Sequence, residues 1–179
     1  HVASMPIAIS RGDIPGEDGD AWIDTVLDAN RSLSLDELEA AWCDADEVLS
    51  AIIDGPGLAL YYDLVVHELD LRGALRRPGA RSDPAVSMAL QVSLDQLDPR
   101  VRAAGLAPLA VATADAVLHS HEGRPGCTIT TGAWEALRSL NGRRTADELR
   151  ALPHDGDLEP YLDPVAARFA FLTTGLDEV

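Results

Sequence analysis

The segment from Leu58 to Leu75 narrows the possible folds more than any other part of the chain. Leu58, Leu60, Tyr61, Tyr62, Leu64, Val65, Val66, Leu69 and Leu71 make it apolar on nearly every side, and a helix of that kind needs neighbours all round it. Such a helix belongs at the centre of a bundle. The polar side chains that interrupt it do so in a pattern. At about 100° per residue, with Asp63 as zero, His67 falls near 40° and Asp70 near −20°, so the three share a wedge about 60° wide. Glu68 and Arg72 fall on the opposite side in acid-first i,i+4 order, as a solvent-facing pair does.

A carboxylate and an imidazole one turn apart on a buried face need a partner, because unpaired buried charge is costly. Two readings meet that need. Both side chains bind divalent metals such as zinc, and i,i+4 spacing lets them converge on one ion. Asp70 then orients His67 from behind or faces substrate. In the other reading Asp63 and His67 hydrogen-bond each other, or line a partly solvated face, with no metal involved.

Helical spacing extends to either side. Residues 1–10 read as a short apolar helix stopped or kinked by Pro6, and residues 12–20 as an acidic, turn-rich loop. Trp22, Ile23, Val26 and Leu27 predict a helix over 21–30. Ser34 and Glu37 form a capping box. It opens a helix with Leu35, Leu38, Ala41, Trp42, Ala45, Leu49 and Ile52 on one stripe, closed by residues 54–57, and Cys43 beside Trp42 reads as packing. A further helix starts at Asp83-Pro84 and runs to about Leu97.

Beyond Leu97 the period changes. Residues 109–113 and 127–130 alternate like strands, with residues 120–123 turning between them and Cys127 semi-exposed. A helix follows from Thr131 or Gly132 to Asn141-Gly142. Thr145 and Glu148 make a second capping box, and residues 161–172 are again helical in pattern. His119 and His121, two apart, are either a metal-binding pair on one strand face or polar residues of a hairpin tip. His154-Asp155-Gly156-Asp157 reads as a turn, because the remaining ligands of a calcium loop are missing. The expected fold is mainly α, with a helical bundle over residues 1–100 and a small α/β lobe over residues 101–179.

Charge then narrows the partners. The 30 acidic side chains outnumber 14 basic ones, for a formal net charge of −16, which disfavours phosphate backbones and anionic membrane surfaces. No apolar run approaches the roughly 18 residues of a spanning helix, and residues 1–10 lack the pattern of a secretory leader. Cys43 and Cys127 form no CxxC pair, so a reducing cytoplasm is expected. Every basic residue is Arg, which suggests a high-GC genome such as an actinomycete's. The chain has no GxSxG, P-loop or dinucleotide GxGxxG pattern, so hydrolase, NTPase and dehydrogenase readings lack local support.

The run Asp63-Leu64-Val65-Val66-His67-Glu68-Leu69-Asp70-Leu71-Arg72, continuing through Leu75 to Pro78, resembles the signature of the mycothiol-dependent maleylpyruvate isomerase family within the DinB-like bundles. Residues 134–150, with Trp134 and Gly142-Arg143-Arg144, look like that family's C-terminal lobe, as does the stretch from Asp155 and Asp157 to Tyr161 and Leu162. The resemblance covers nearly the whole chain. It implies a four-helix bundle holding a divalent metal, usually zinc, through His, acid and His. The acid and second His are Asp63 and His67, with Asp where the isomerases proper have Glu. His1 is the candidate first ligand, with a further bundle helix before it; a tag remnant is the other reading of residues 1–5.

The resemblance further implies mycothiol as thiol cosubstrate and a small electrophilic substrate. Reversible thiolate addition to an activated double bond gives cis–trans isomerisation, and attack with retention of sulfur gives thiol S-transfer. A substrate carboxylate would want Arg72 or Arg143. Two other functions stand beside this one: a non-catalytic DinB-like binding or regulatory protein, and a metal-dependent hydrolase.

Overall fold

The computed structural model of the chain describes residues 3–14, 19–53 and 58–178. These residues hold eight helices and a four-stranded mixed sheet, so the protein is mainly helical. The chain divides into two compact units, His1–Leu64 and Val65–Val179.

In the first unit, α1 (Ser4–Ser10) lies against both α2 (Gly19–Asn30) and α3 (Leu35–Ile53). Pro6 neither stops nor kinks α1. It sits in the first turn, where an amide hydrogen has no helical partner to lose. Ile7 and Val26 are buried, and Ala45 packs with Leu60 and Ile9. The expected box at the start of α3 is present: the Ser34 amide donates to Glu37 Oε2 at 2.8 Å, and the Glu37 amide donates to Ser34 Oγ at 3.3 Å. Two expectations for α3 are corrected. Leu35 is exposed in the first turn, and Cys43 is exposed because two residues place it on the side opposite buried Ala45. The expected closure at 54–57 lies outside the described residues.

The second unit is organised on α5 (Pro84–Ala103). Asp83 caps it, accepting from the Ala85 amide at 2.9 Å, and Pro84 occupies the first turn. The helix runs past its expected end at Leu97 and through Pro99. Val101 continues the buried stripe of Leu90, Leu94 and Leu97, so packing offsets the hydrogen bond that proline removes.

The sheet order is β2-β1-β3-β4, from β1 (Leu109–Ala112), β2 (Val117–His119), β3 (Cys127–Thr130) and β4 (His154–Gly156). β1 pairs antiparallel with β2 and parallel with β3, Leu109 opposite Cys127. The turn that reverses the chain after β1 is therefore residues 113–116, not 120–123. There the Thr113 hydroxyl ties itself to the Ala116 carbonyl at 3.0 Å. His154-Asp155-Gly156 is an edge strand antiparallel to β3 instead of a turn. Its polar letters disguise it, since all three residues are exposed and only the backbone pairs.

Cys127 is buried, not semi-exposed. It shares the inward-facing positions of β3 with Ile129.

Helices α6 (Ala133–Leu140), α7 (Ala146–Ala151) and α8 (Glu159–Ala166) complete the unit. Thr145 and Glu148 form the expected capping box of α7. α8 ends at Ala166, short of the expected Leu172. The Leu172 amide instead donates to the Arg144 carbonyl at 3.1 Å, so the chain leaves the helix to meet the α6–α7 turn. No helix among the described residues is long and apolar enough to cross a membrane.

Candidate functional site

The site begins on α4 (Leu58–Ala74). Tyr62, Val65, Val66 and Leu69 are buried there, and Glu68 is exposed. Arg72 reaches back to Glu68 with Nε at 2.9 Å and Nη2 at 2.7 Å, the solvent-facing pair that the spacing predicts. Asp63 and His67 are half-buried and stand one turn apart, and one carboxylate oxygen of Asp63 is buried. His1 lies outside the described residues.

His67 meets Asp70, with Nδ1 and Oδ2 3.2 Å apart. Asp70 in turn holds two arginines. Arg138 Nη1 donates to its Oδ1 at 2.5 Å, and Arg143 donates from Nη2 to Oδ2 at 2.7 Å and from Nε to Oδ1 at 3.2 Å. Burial opposes ionisation of Asp70, but the hydrogen bonds from His67, Arg143 and Arg138 outweigh it and hold the carboxyl far below the usual carboxylate range. Asp70 is therefore a fixed anion behind His67. An anion at Nδ1 makes Nε2 the nitrogen through which the ring would meet a metal.

That donor chemistry suits a divalent ion at Asp63 and His67, and Asp70 stands where an orienting carboxylate belongs. Two ligands fall short of a full set. Among the described residues, no three His, Cys, Asp or Glu side chains gather as a metal site.

The network reaches further than the sequence reading took it. Arg138 sits on α6 four residues after Trp134, on the helix's buried side, and only 3% of its side chain is exposed. Besides Asp70 it grips both carboxylate oxygens of Glu178, Nη2 on Oε1 and Nε on Oε2. Arg144 donates to Glu178 Oε2 at 2.6 Å and to Glu135 through Nε at 2.7 Å and Nη2 at 3.0 Å. Burial opposes the charge on Arg144, yet Glu135 and Glu178 raise its pKa above the ordinary arginine value.

One signal in the sequence marked Arg138. It occupies an i+4 position from Trp134 on an otherwise apolar stripe, where a charge needs a partner. Nothing local marked Glu178, whose partners lie 34 and 40 positions earlier.

Arg143 is committed to Asp70 and, through Nη1, to the Asn141 carbonyl at 2.6 Å. Arg72 serves Glu68. His119 and His121 both line one recess with Gln91 and Asp95. His119 ends β2, whereas His121 lies beyond it and meets Asp98 with Nδ1 2.7 Å from Oδ1. No family model, curated protein or solved structure matches this chain.

Proposed function

We propose that this chain is a metal-dependent, mycothiol-using isomerase or thiol S-transferase on a DinB-like bundle, acting in the cytoplasm on a small electrophilic substrate. The observation that carries the reading is the relay from Arg138 and Arg143 through Asp70 to His67. Four residues before it, Asp63 stands one turn away on the same helix. An anion locked by two guanidiniums behind an imidazole is how proteins fix the ring and tautomer of a ligating histidine.

Asp63, His67 and, by the resemblance, His1 would hold the ion. A bound divalent metal, zinc by the same resemblance, supplies a positive charge that lowers the pKa of a coordinated thiol. Asp70 keeps His67 in register, and the two arginines keep Asp70 ionised.

The test is metal content per chain, by elemental analysis after zinc loading, for the full protein and for Asp63→Ala and His67→Ala. The proposal expects stoichiometric metal in the parent and loss of it in both variants. Absence of metal in the loaded parent would leave the non-catalytic scaffold as the function. With metal present, a thermal shift produced by mycothiol and not by unrelated thiols supports thiol chemistry. The absence of any such shift favours hydrolysis by metal-bound water.

A further inference from the structure

We infer that Arg138 and Arg144 form a binding site for a small organic carboxylate, and that Glu178 fills this site as the chain's own stand-in for the ligand. The site shares Arg138 with the relay to His67, but it stands on Glu178 and Arg144 and requires no metal.

The two guanidiniums are aimed before Glu178 arrives. Arg138 is fixed from one side by Asp70 at 2.5 Å, and Arg144 from the other by Glu135 through two hydrogen bonds. Neither arrangement involves residue 178, so removing its carboxylate leaves two oriented, nearly buried donors facing one point. Preorganised donors of this kind bind without the cost of ordering side chains. The fork of Arg138 on both oxygens, with Arg144 as a third donor, is carboxylate recognition in its usual two-point form.

Charge and shape select the ligand. Arg138, Arg143, Arg144 and the recess-lining Arg81 against Asp70 and Glu135 leave the pocket positive once Glu178 is removed, which calls for an anion. The planar two-point fork of Arg138 suits the two oxygens of a carboxylate, the group that Glu178 itself presents there. Space is reserved as well. A Cβ on Gly73 would come within 3.1 Å of Glu178 Oε1, so α4 carries a gap where the carboxylate lies. Beside it, Glu178 walls a recess with Leu69, Gly73, Arg81 and Trp134 that holds about one water, of volume ≈ 10 Å³. Withdrawal of Glu178 joins this recess to the arginines and makes room for a short carbon chain against Leu69 and Trp134.

The segment that delivers Glu178 is held chiefly at its two ends. Residues 167–178 contain no helix or strand. The Leu172 amide anchors the segment to Arg144. Beyond that point the described ties include an exposed Asp177–Arg76 pair at 3.2 Å, a close approach of Gly175 to Glu148, a local bond from the Glu178 amide to the Leu176 carbonyl, and the Glu178 carboxylate itself. A tethered carboxylate competes at an effective concentration of order millimolar, so a free carboxylate displaces it only as that range is exceeded.

The test uses the full chain and three probes, propionate, inorganic phosphate and chloride, at matched ionic strength. The parent, Glu178→Ala and the double variant Glu178→Ala with Arg144→Gln are compared. The readouts are the thermal midpoint and the side-chain Nε–H signals of Arg138 and Arg144. Glu178→Ala is expected to melt lower and to be restored by propionate along a saturable curve that moves both arginine signals. Binding should be about tenfold weaker in the parent, where Glu178 competes, and about tenfold weaker in the double variant, which lacks one donor.

Equal propionate dependence in parent and Glu178→Ala overturns the proposal, as do unmoved arginine signals. Phosphate binding as tight as propionate overturns the choice of ligand. If Glu178→Ala does not fold, the parent decides alone. Saturating propionate must then shift the amide signals of residues 173–178, and unmoved signals reject the site.

Discussion

Asp70 on α4 and Arg143 in the α6–α7 turn, 73 positions apart in the chain, meet in a two-point contact of 2.7 and 3.2 Å. With Arg138 on the same carboxylate, this contact ties the polar wedge of α4 to the turn beyond α6. Asp70→Asn keeps the shape and removes the charge. It leaves Arg138, 3% exposed, without an anion on that side. Arg138 keeps Glu178 and Asp70 is partly exposed, so the variant loses charge-assisted hydrogen bonds without stranding a charge, at a cost of about 2 kcal/mol. Urea unfolding of the variant should show a loss of that size, and a loss under about 1 kcal/mol would mean the arginines are satisfied elsewhere.

Gly142 follows α6 with φ +69°, and a Cβ there would lie 2.8 Å from the Ala170 carbonyl oxygen. Gly142→Ala therefore pays both for the left-handed backbone, about 1–2 kcal/mol, and for pushing residues 169–170 away. The expected loss is about 2 kcal/mol or more by denaturant unfolding, with faster hydrogen exchange at the Leu172 amide. An unchanged Leu172 amide would show that the segment does not depend on this close approach.

The capping box of α7 gives a pH-dependent test. The Thr145 amide donates to Glu148 Oε2 at 2.7 Å, and that bond chiefly holds the Glu148 carboxyl below its usual value. A depressed carboxyl contributes stability above its unfolded pKa, about 4.3, and loses it as pH falls toward the folded value. Thr145→Ala should cost about 1 kcal/mol at pH 7. The part of that cost owed to the Thr145 hydroxyl on the Glu148 carboxylate should shrink as pH falls through the lowered folded value, while the backbone bond stays in both proteins. A cost that grows on acidification would contradict the assigned geometry.

Cys127 offers a chemical readout of the sheet. Burial, with Asp157 and Asp155 nearby, pushes its thiol up to about 11, against about 8.5 for an ordinary thiol. At pH 8 its thiolate fraction is about a hundredfold or more below that of an ordinary thiol. Iodoacetamide followed by peptide mapping should label exposed Cys43 first, and labelling of Cys127 should climb steeply toward pH 11. Comparable rates at pH 8 would place Cys127 at the surface.

Legibility in the sequence tracked the range of the interactions involved. Both capping boxes, the helix over 58–74 and the Glu68–Arg72 pair follow from residues three or four apart, so periodicity and side-chain type suffice. The pairing of β1 with β3 was hidden because parallel strands carry no turn between them, and β4 because its polar residues pair through the backbone alone. Asp70 was placed on the right wedge, but its partners Arg138 and Arg143 lie 68 and 73 positions away, where no local spacing reaches. The helix ends expected at Leu97 and Leu172 misled for opposite reasons. The first reads as a stop inside a helix that packing sustains, and the second as helix where the backbone turns aside to Arg144.

The sheet's two outer strands, β2 and β4, are three residues each, and β4 shows solvent only His154, Asp155 and Gly156. An open edge is where one chain can recruit another into a growing ladder. Here the template is a single short rung set, with a carboxylate at its centre on a protein that already carries −16. Two such edges meeting would press like charges together before many hydrogen bonds could form. The acidity thus also guards this sheet edge against self-association, and concentrated solutions should stay clear at neutral pH and cloud first near the calculated isoelectric point of 4.4.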